Sequence, residues 1–151
     1  RGPDGRPVIA FSIPLLMDAR NDDEIAFILS HEYGHLIANH IGKAESQAQA
    51  GALILGALTS AAGGQDVDRA MQIGASVGAR SYSQTYELES DYIATTITRM
   101  AGYDTIRGAR YFARPSGQSS GGTPSFLSTH PSNISRLALV IESSGKELQR
   151  R

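Results

Sequence analysis

The chain of 151 residues contains no cysteine. This absence excludes disulfides, thiolate zinc sites and cysteine nucleophiles together. Any transition metal bound here must therefore be held by His, Asp or Glu side chains, and cysteine usage leaves the redox compartment open.

An excess of charge and a long apolar run are also absent. The 14 basic and 15 acidic residues nearly cancel, so no broad field would draw the chain to nucleic acid or to anionic lipid. One long uncharged stretch, residues 46–65, includes Gln, Ser, Thr and four Gly and is too weakly apolar to span a membrane. The length predicts one domain over residues 1–151. Because the chain opens at Arg1 in RGPDGRP, we expect a fragment that lacks upstream targeting sequence.

Helical patterns dominate what is present. Asn21, followed by three acids, predicts the start of a helix whose apolar residues keep helical spacing as far as Gly42. Further helices are predicted over about 43–62, 66–79, 81–101 and 104–114, and a Ser/Gly-rich loop over 115–129. The last helix should begin near Pro131 and bury a face made of Ile134, Leu137, Ala138 and Ile141.

One segment has the character of a strand. Residues 7–12 (PVIAFS) are β-prone and follow a turn. Because a strand needs partners, we expect an α+β class, mainly helical with a small antiparallel sheet. Residues 8–12 are then a candidate edge strand that aligns an extended peptide.

The motif HEYGH lies within the first long predicted helix. His31 and His35 are four residues apart, about 40° apart around a helix axis, so both imidazoles can reach one ion. Glu32 lies about 100° from His31, too far round to ligate the same ion but well placed to bond a water beside it. This is the pattern of two metal ligands and a general base, whereas a chance pair of histidines on a solvated face is the plainer alternative.

A catalytic zinc site needs a third protein ligand. If the helix continued to His40, that side chain would point about 180° from His31, so we interpret His40 as a surface or packing residue. Residues 87–91 (ELESD) offer acids on a second helix, where Glu87 and Asp91 share a face and Glu89 points away. One acid can complete the site while another bonds a ligand imidazole.

Together the segments HEYGH, YSQTYELESD and STHPSNISR resemble the three signature segments of the gluzincin metallopeptidases of the HtpX, BepA and CAAX prenyl protease family. The resemblance implies a zincin-like domain with the small sheet beside the HEYGH helix and one Zn²⁺ per chain. It further implies that Glu87 is the third zinc ligand and that Asp91 supports a ligand histidine. By the same resemblance, His130 and Arg136 lie over the site and stabilise the oxyanion or position substrate; as a sequence feature alone, His130 is equally a capping or surface residue.

The function that follows is a zinc metalloendopeptidase in which Glu32 is the general base. Its expected partners are unfolded or extended polypeptides, with no nucleic acid and no membrane span in this fragment. The resemblance implies a bacterial periplasm or cell envelope setting, an upstream signal peptide or lipid anchor, and a role in envelope protein quality control.

Two alternatives stay open. One is a latent, metal-holding, chaperone-like module in which the loop or the His130 segment closes the site. The other is a deformylase-type hydrolase, which the absence of cysteine disfavours. The sequence does not distinguish which of three tyrosines, Tyr82, Tyr86 or Tyr92, donates a hydrogen bond to a tetrahedral intermediate.

Overall fold

A computed structural model of the chain describes residues 3–80, 83–114, 130 and 133–148, with the side chains of the last helix followed to residue 145. These residues form a succession of helices: α1 (Ile13–Asp18), α2 (Asp22–Ile37), α3 (His40–Ala61), α4 (Val67–Arg80), α5 (Ser83–Met100), α6 (Thr105–Ala109), a 3-10 helix (Arg110–Ala113) and α7 (Ile134–Leu148).

The predicted antiparallel sheet is wrong, since none of the described residues lies in a strand. Residues 7–12 carry β-prone side chains, but the described part of the chain offers no second strand to accept and donate their backbone hydrogen bonds. Ser12 instead caps α1, where its hydroxyl accepts from the Leu15 amide at 3.3 Å. The fold is mainly helical. The prediction that residues 8–12 form an edge strand is therefore also wrong, because the described residues contain no sheet.

The first long helix begins as predicted but ends early. The Asn21 side chain accepts from the Glu24 amide at 3.1 Å, the bond expected of an N-cap. The predicted continuation to Gly42 is wrong, because α2 ends at Ile37 and Asn39 takes a left-handed conformation with φ of 53°. Asparagine tolerates this conformation better than most residues, and the chain enters α3 one residue later.

The other predicted helices are present within a few residues of their expected bounds. Gly63 and Gly102 follow α3 and α5 with positive φ, as C-terminal stops do. The helix predicted over 104–114 becomes α6 and the 3-10 helix. The predicted loop at 115–129 and the start of α7 at Pro131 lie outside the described residues.

The chain divides into two compact units, one formed by Arg1–Ile37 with Glu87–Arg151 and one by Ala38–Tyr86. The single catalytic domain expected from length is not decided by this division and stays a prediction.

The unit Ala38–Tyr86 contains the hairpin of α3 and α4. The backbones touch at Gly51 and Gly74, where an added Cβ would meet the opposite carbonyl oxygen at 2.1 to 2.2 Å. Only glycine, which has no Cβ, allows the two helices to pack this closely. His40 is buried and its ring stacks on Tyr86 with centroids 4.4 Å apart, which confirms the packing role predicted for it.

The other unit holds the apolar core. Its fully buried side chains come from α2, α5, α6, the 3-10 helix and α7, and include Phe27, Ile28, Ala94, Ala109, Tyr111, Phe112 and Val140. A second layer of contacts is ionic: Arg114 pairs with the buried Glu24 at 2.5 Å and with Asp18. This network joins the end of the 3-10 helix to the start of α2.

The face that α7 buries differs from the predicted one. Ile134 and Ile141 are exposed, whereas Arg136 and Val140 are buried. The apolar pattern predicted the wrong face because Arg136 of α7 points inward, where it pairs with Glu87 and Asp91. No helix among the described residues is long and apolar enough to cross a membrane.

Candidate metal centre

Helix α2 presents the two histidines of the HEYGH motif side by side. Their Nε2 atoms lie 3.0 Å apart. His31 is fully buried beside Phe27 and Ile28, while His35, one turn later, is partly open to solvent. Two imidazole nitrogens this close can share one proton or one cation, so they form the nucleus of a site.

Glu87 reaches this pair from α5. Its Oε2 lies 3.3 Å from His31 Nε2 and its Oε1 lies 3.2 Å from His35 Nε2. His130 approaches from the segment before α7, with its Nδ1 3.0 Å from Glu87 Oε1 and 3.3 Å from His31 Nε2. Four side chains from three parts of the sequence therefore converge.

The donor atoms of these four side chains all lie within 4.8 Å of one another. Four N and O ligands placed tetrahedrally at about 2.0–2.1 Å from one zinc ion would be roughly 3.3 Å apart. The nearest separations in the cluster, 3.0 to 3.3 Å, match that spacing. The donor set of imidazoles and a carboxylate thus fits a divalent transition metal.

A close helix crossing brings α5 to this position. A Cβ added at Gly34 would lie 3.0 Å from both the Cα and the carbonyl oxygen of Ser90. Glycine therefore lets the backbone of α5 rest directly on α2, and Glu87 and Asp91 flank the contact point.

Asp91 lies behind His31 and is fully buried. Its Oδ1 accepts from His31 Nδ1 at 2.9 Å, which assigns the proton to Nδ1 and turns the Nε2 lone pair toward the cluster. Arg136 donates to the same carboxylate twice, from Nε to Oδ2 at 2.6 Å and from Nη2 to Oδ1 at 2.7 Å. Its Nη1 lies 3.0 Å from Glu87 Oε2.

Glu32 lies beside the cluster, with its side chain 27% exposed. Its Oε1 is a buried atom with no hydrogen-bond partner among the described residues, although it forms an ion pair with His130 Nε2 at 3.3 Å. A carboxylate oxygen without a hydrogen bond beside these candidate metal ligands can accept one from a water.

The sequence of the chain matches a family model over almost its whole length. The model described as Peptidase family M48 covers residues 2–143. The chain belongs to this family. The family is one of metallopeptidases, hydrolases that act on polypeptides.

Curated relatives carry the same assignment. The chain is 28% identical over 137 residues to the beta-barrel assembly-enhancing protease of Escherichia coli K12, a match that covers 78% of this chain and 26% of the relative. It is 27% identical over 135 residues to the mitochondrial metalloendopeptidase OMA1 of Arabidopsis thaliana, covering 88% of this chain and 27% of the relative. The chain thus spans about a quarter of the length of these relatives. No solved structure matches it.

Two titratable side chains of this M48 site, Glu87 and His31, have shifted pKa values. Burial raises the pKa of Glu87, but its contacts with His130, His31 and His35 outweigh burial and hold that pKa far below its ordinary value. Glu87 is therefore a carboxylate at neutral pH. Burial lowers the pKa of His31, yet its hydrogen bonds to Asp91 and Glu87 more than offset this and leave the pKa raised.

The structure thus brings together every residue that the sequence analysis placed in the site, although their individual roles stay predictions. Tyr92 is exposed, Tyr86 is buried against His40, and Tyr82 lies outside the described residues. Sequence analysis missed Phe112, which is buried against both His31 and Arg136. Its only signal was its place in an aromatic pair near the end of a predicted helix.

Proposed function

We propose that this M48 chain is a zinc-dependent metalloendopeptidase that hydrolyses peptide bonds of unfolded or extended polypeptides, with Glu32 as the general base. The observation that carries the proposal is the convergence of His31, His35 and Glu87 beside a Glu32 oxygen that accepts no hydrogen bond from the described residues.

His31, His35 and Glu87 would hold the zinc ion, a His2Glu set that suits a catalytic site with a position left for water. When bound, zinc would act as a Lewis acid toward the scissile carbonyl and lower the pKa of a water. Asp91 keeps His31 in the tautomer that this requires, because it accepts the Nδ1 proton.

Glu32 would carry the protons of the reaction. It accepts a proton from the attacking water and returns it to the nitrogen of the leaving amine. The Oε1 of Glu32 supports this role, because it accepts no hydrogen bond within the described protein that would have to break before water binds there. Arg136 is 2% exposed and bonded to two carboxylates, which favours a positioning role over direct contact with substrate.

His130 supports two different readings of the same site. In the first, it donates to the oxyanion of the tetrahedral intermediate. In the second, the protein is a closed or latent metal-binding, chaperone-like module, and the observation that favours this is the place of His130 Nδ1 among the four clustered donors. A fourth protein ligand would occupy the position that water needs.

A replacement of His130 by Ala separates these two readings. A loss of hydrolysis with zinc retained supports the oxyanion role. A gain of hydrolysis, from a parent that binds zinc but is inert on unfolded protein, supports the closed module.

The setting is proposed from likeness alone. The resemblance noted in the sequence, together with a bacterial relative named for beta-barrel assembly, supports a bacterial periplasm or cell envelope and a role in protein quality control there. The mitochondrial relative supports only the general peptidase assignment.

The proposal is tested by metal analysis and cleavage of an unfolded reporter protein. We expect one zinc per chain and hydrolysis that stops with a chelator and returns with zinc. Glu32→Gln should lower hydrolysis at least about 100-fold while zinc stays bound, because the amide keeps the size of the side chain but not its basicity. Glu45→Gln, at an exposed glutamate on α3, is the matched control and should change nothing. Near-normal turnover by Glu32→Gln would remove the assigned general base.

A further inference from the structure

Phe112 is fully buried in the 3-10 helix and forms one wall behind the metal centre. Its ring centroid lies 5.0 Å from that of His31, with the planes tilted by 46°. The Arg136 guanidinium carbon lies only 3.8 Å from the same centroid. The Phe112 ring thus contacts both His31, a proposed metal ligand, and the guanidinium of Arg136. That guanidinium pairs with Asp91 and Glu87.

Arg136 meets this ring in addition to its ionic partners. The in-plane N–H groups bond to Asp91 and Glu87. The face of a guanidinium has no N–H to donate, and an aromatic face attracts it most strongly where water is excluded. The guanidinium carbon lies 3.8 Å over the Phe112 ring, so Phe112 supplies a cation–π contact beside the two carboxylates.

His31 depends on the ring for a different reason. Its Nδ1 is held by Asp91 and its Nε2 faces Glu87, but the χ2 torsion of histidine is intrinsically broad, so contacts at the two nitrogens still allow the imidazole to tilt. The Phe112 ring, with its centroid 5.0 Å away, packs against the imidazole and limits that tilt. The direction of the Nε2 lone pair is then set by a bond on one side and a wall on the other.

We propose that Phe112 is a positioning residue of the metal centre, whose ring holds the His31 imidazole and the Arg136 guanidinium in the orientation that metal binding requires. This inference rests on the proposed metal site and assigns to Phe112 no contact with substrate.

The test compares two phenylalanines of the same core. Phe27 is equally buried, lies one turn before His31 on α2, and touches Phe112 with ring centroids 5.9 Å apart. Phe27→Leu and Phe112→Leu each remove one buried ring from one cluster, so their losses of unfolding stability should be comparable. Only Phe112→Leu removes the wall behind His31 and Arg136.

Zinc dissociation constants, measured by competition with a chromophoric chelator, give the first readout. We expect Phe112→Leu to bind zinc about 10-fold more weakly than the parent, in the range found for residues that orient metal ligands, and Phe27→Leu to stay within about twofold. Cobalt-substituted protein gives the second readout, because its visible absorption reports ligand geometry. The spectrum should change for Phe112→Leu alone.

If Phe112→Leu does not fold, Phe112→Met, whose flexible side chain fills irregular core space, takes its place with the same expectation. The inference is overturned if the folded Phe112 variant binds zinc within twofold of the parent, or if Phe27→Leu loses as much affinity. If the parent itself binds no zinc, the proposed function fails first, and this inference fails with it.

Discussion

Gly34→Ala perturbs the metal centre without touching any ligand. The new Cβ would lie 3.0 Å from two backbone atoms of Ser90 and 3.3 Å from its Cβ. A backbone cannot swing aside as a long side chain does, so relief requires α5 to move away from α2 by a few tenths of an ångström. Glu87 and Asp91 lie on either side of Ser90 and must move with it.

Two effects on stability oppose each other. Overpacking of this kind costs about 1–3 kcal/mol. Alanine in place of glycine within a helix contributes about 1 kcal/mol in the other direction. The free energy of unfolding should therefore fall by no more than about 2 kcal/mol. Metal ligands tolerate displacement of only about 0.5 Å, so zinc affinity should fall about 10-fold or more.

Thermal unfolding of the metal-free protein and zinc titration separate the two quantities. Gly145→Ala is the matched control, since Gly145 also lies in a helix but an added Cβ would meet nothing within 4 Å. The control should keep its zinc affinity and be as stable as the parent or slightly more so. If Gly34→Ala binds zinc as tightly as the parent, the close crossing at Ser90 is not what positions the acids of α5.

Further predictions concern the charged residues around the site. Glu87→Ala should nearly abolish zinc retention, and Asp91→Asn should weaken zinc affinity roughly 10- to 100-fold. Glu89→Ala, on the exposed face of α5, should change little. If zinc titration shows that Glu89→Ala loses zinc while Glu87→Ala retains it, the ligand assignment is refuted. Arg114→Met should lower the free energy of unfolding by about 3 kcal/mol, because it leaves the buried glutamate of α2 without its cation, while Arg6→Met at an exposed ion pair should leave the thermal midpoint unchanged.

Helix periodicity explains why the sequence could predict which side chains lie together. The spacing of His31 and His35 places both on one face of α2, and the same geometry pairs Glu87 with Asp91 and excludes Glu89. These relations depend on residues a few positions apart, which a helix fixes locally.

The failures arose where tertiary context decides. Residues 7–12 have strand-like side chains, but a strand depends on a partner that the sequence does not specify. The apolar residues Ile134 and Ile141 suggested one face of α7, whereas the buried face is the one that carries Arg136. Burial of a charged side chain is predictable only when its partners are known, and Asp91 lies 45 residues away.

The two carboxylates that contact Arg136 have different surroundings. A buried ion pair contributes little net stability, so the Asp91–Arg136 pair is better explained by orientation than by strength. Arg136 donates to both oxygens of Asp91, which holds this carboxylate where Oδ1 accepts the His31 Nδ1 proton. Arg136 Nη1 lies 3.0 Å from Glu87 Oε2, and the Glu87 oxygens also lie 3.0 to 3.3 Å from nitrogens of three imidazoles. The negative charge that Arg136 leaves uncompensated thus lies among the nitrogen donors, where a divalent cation would bind.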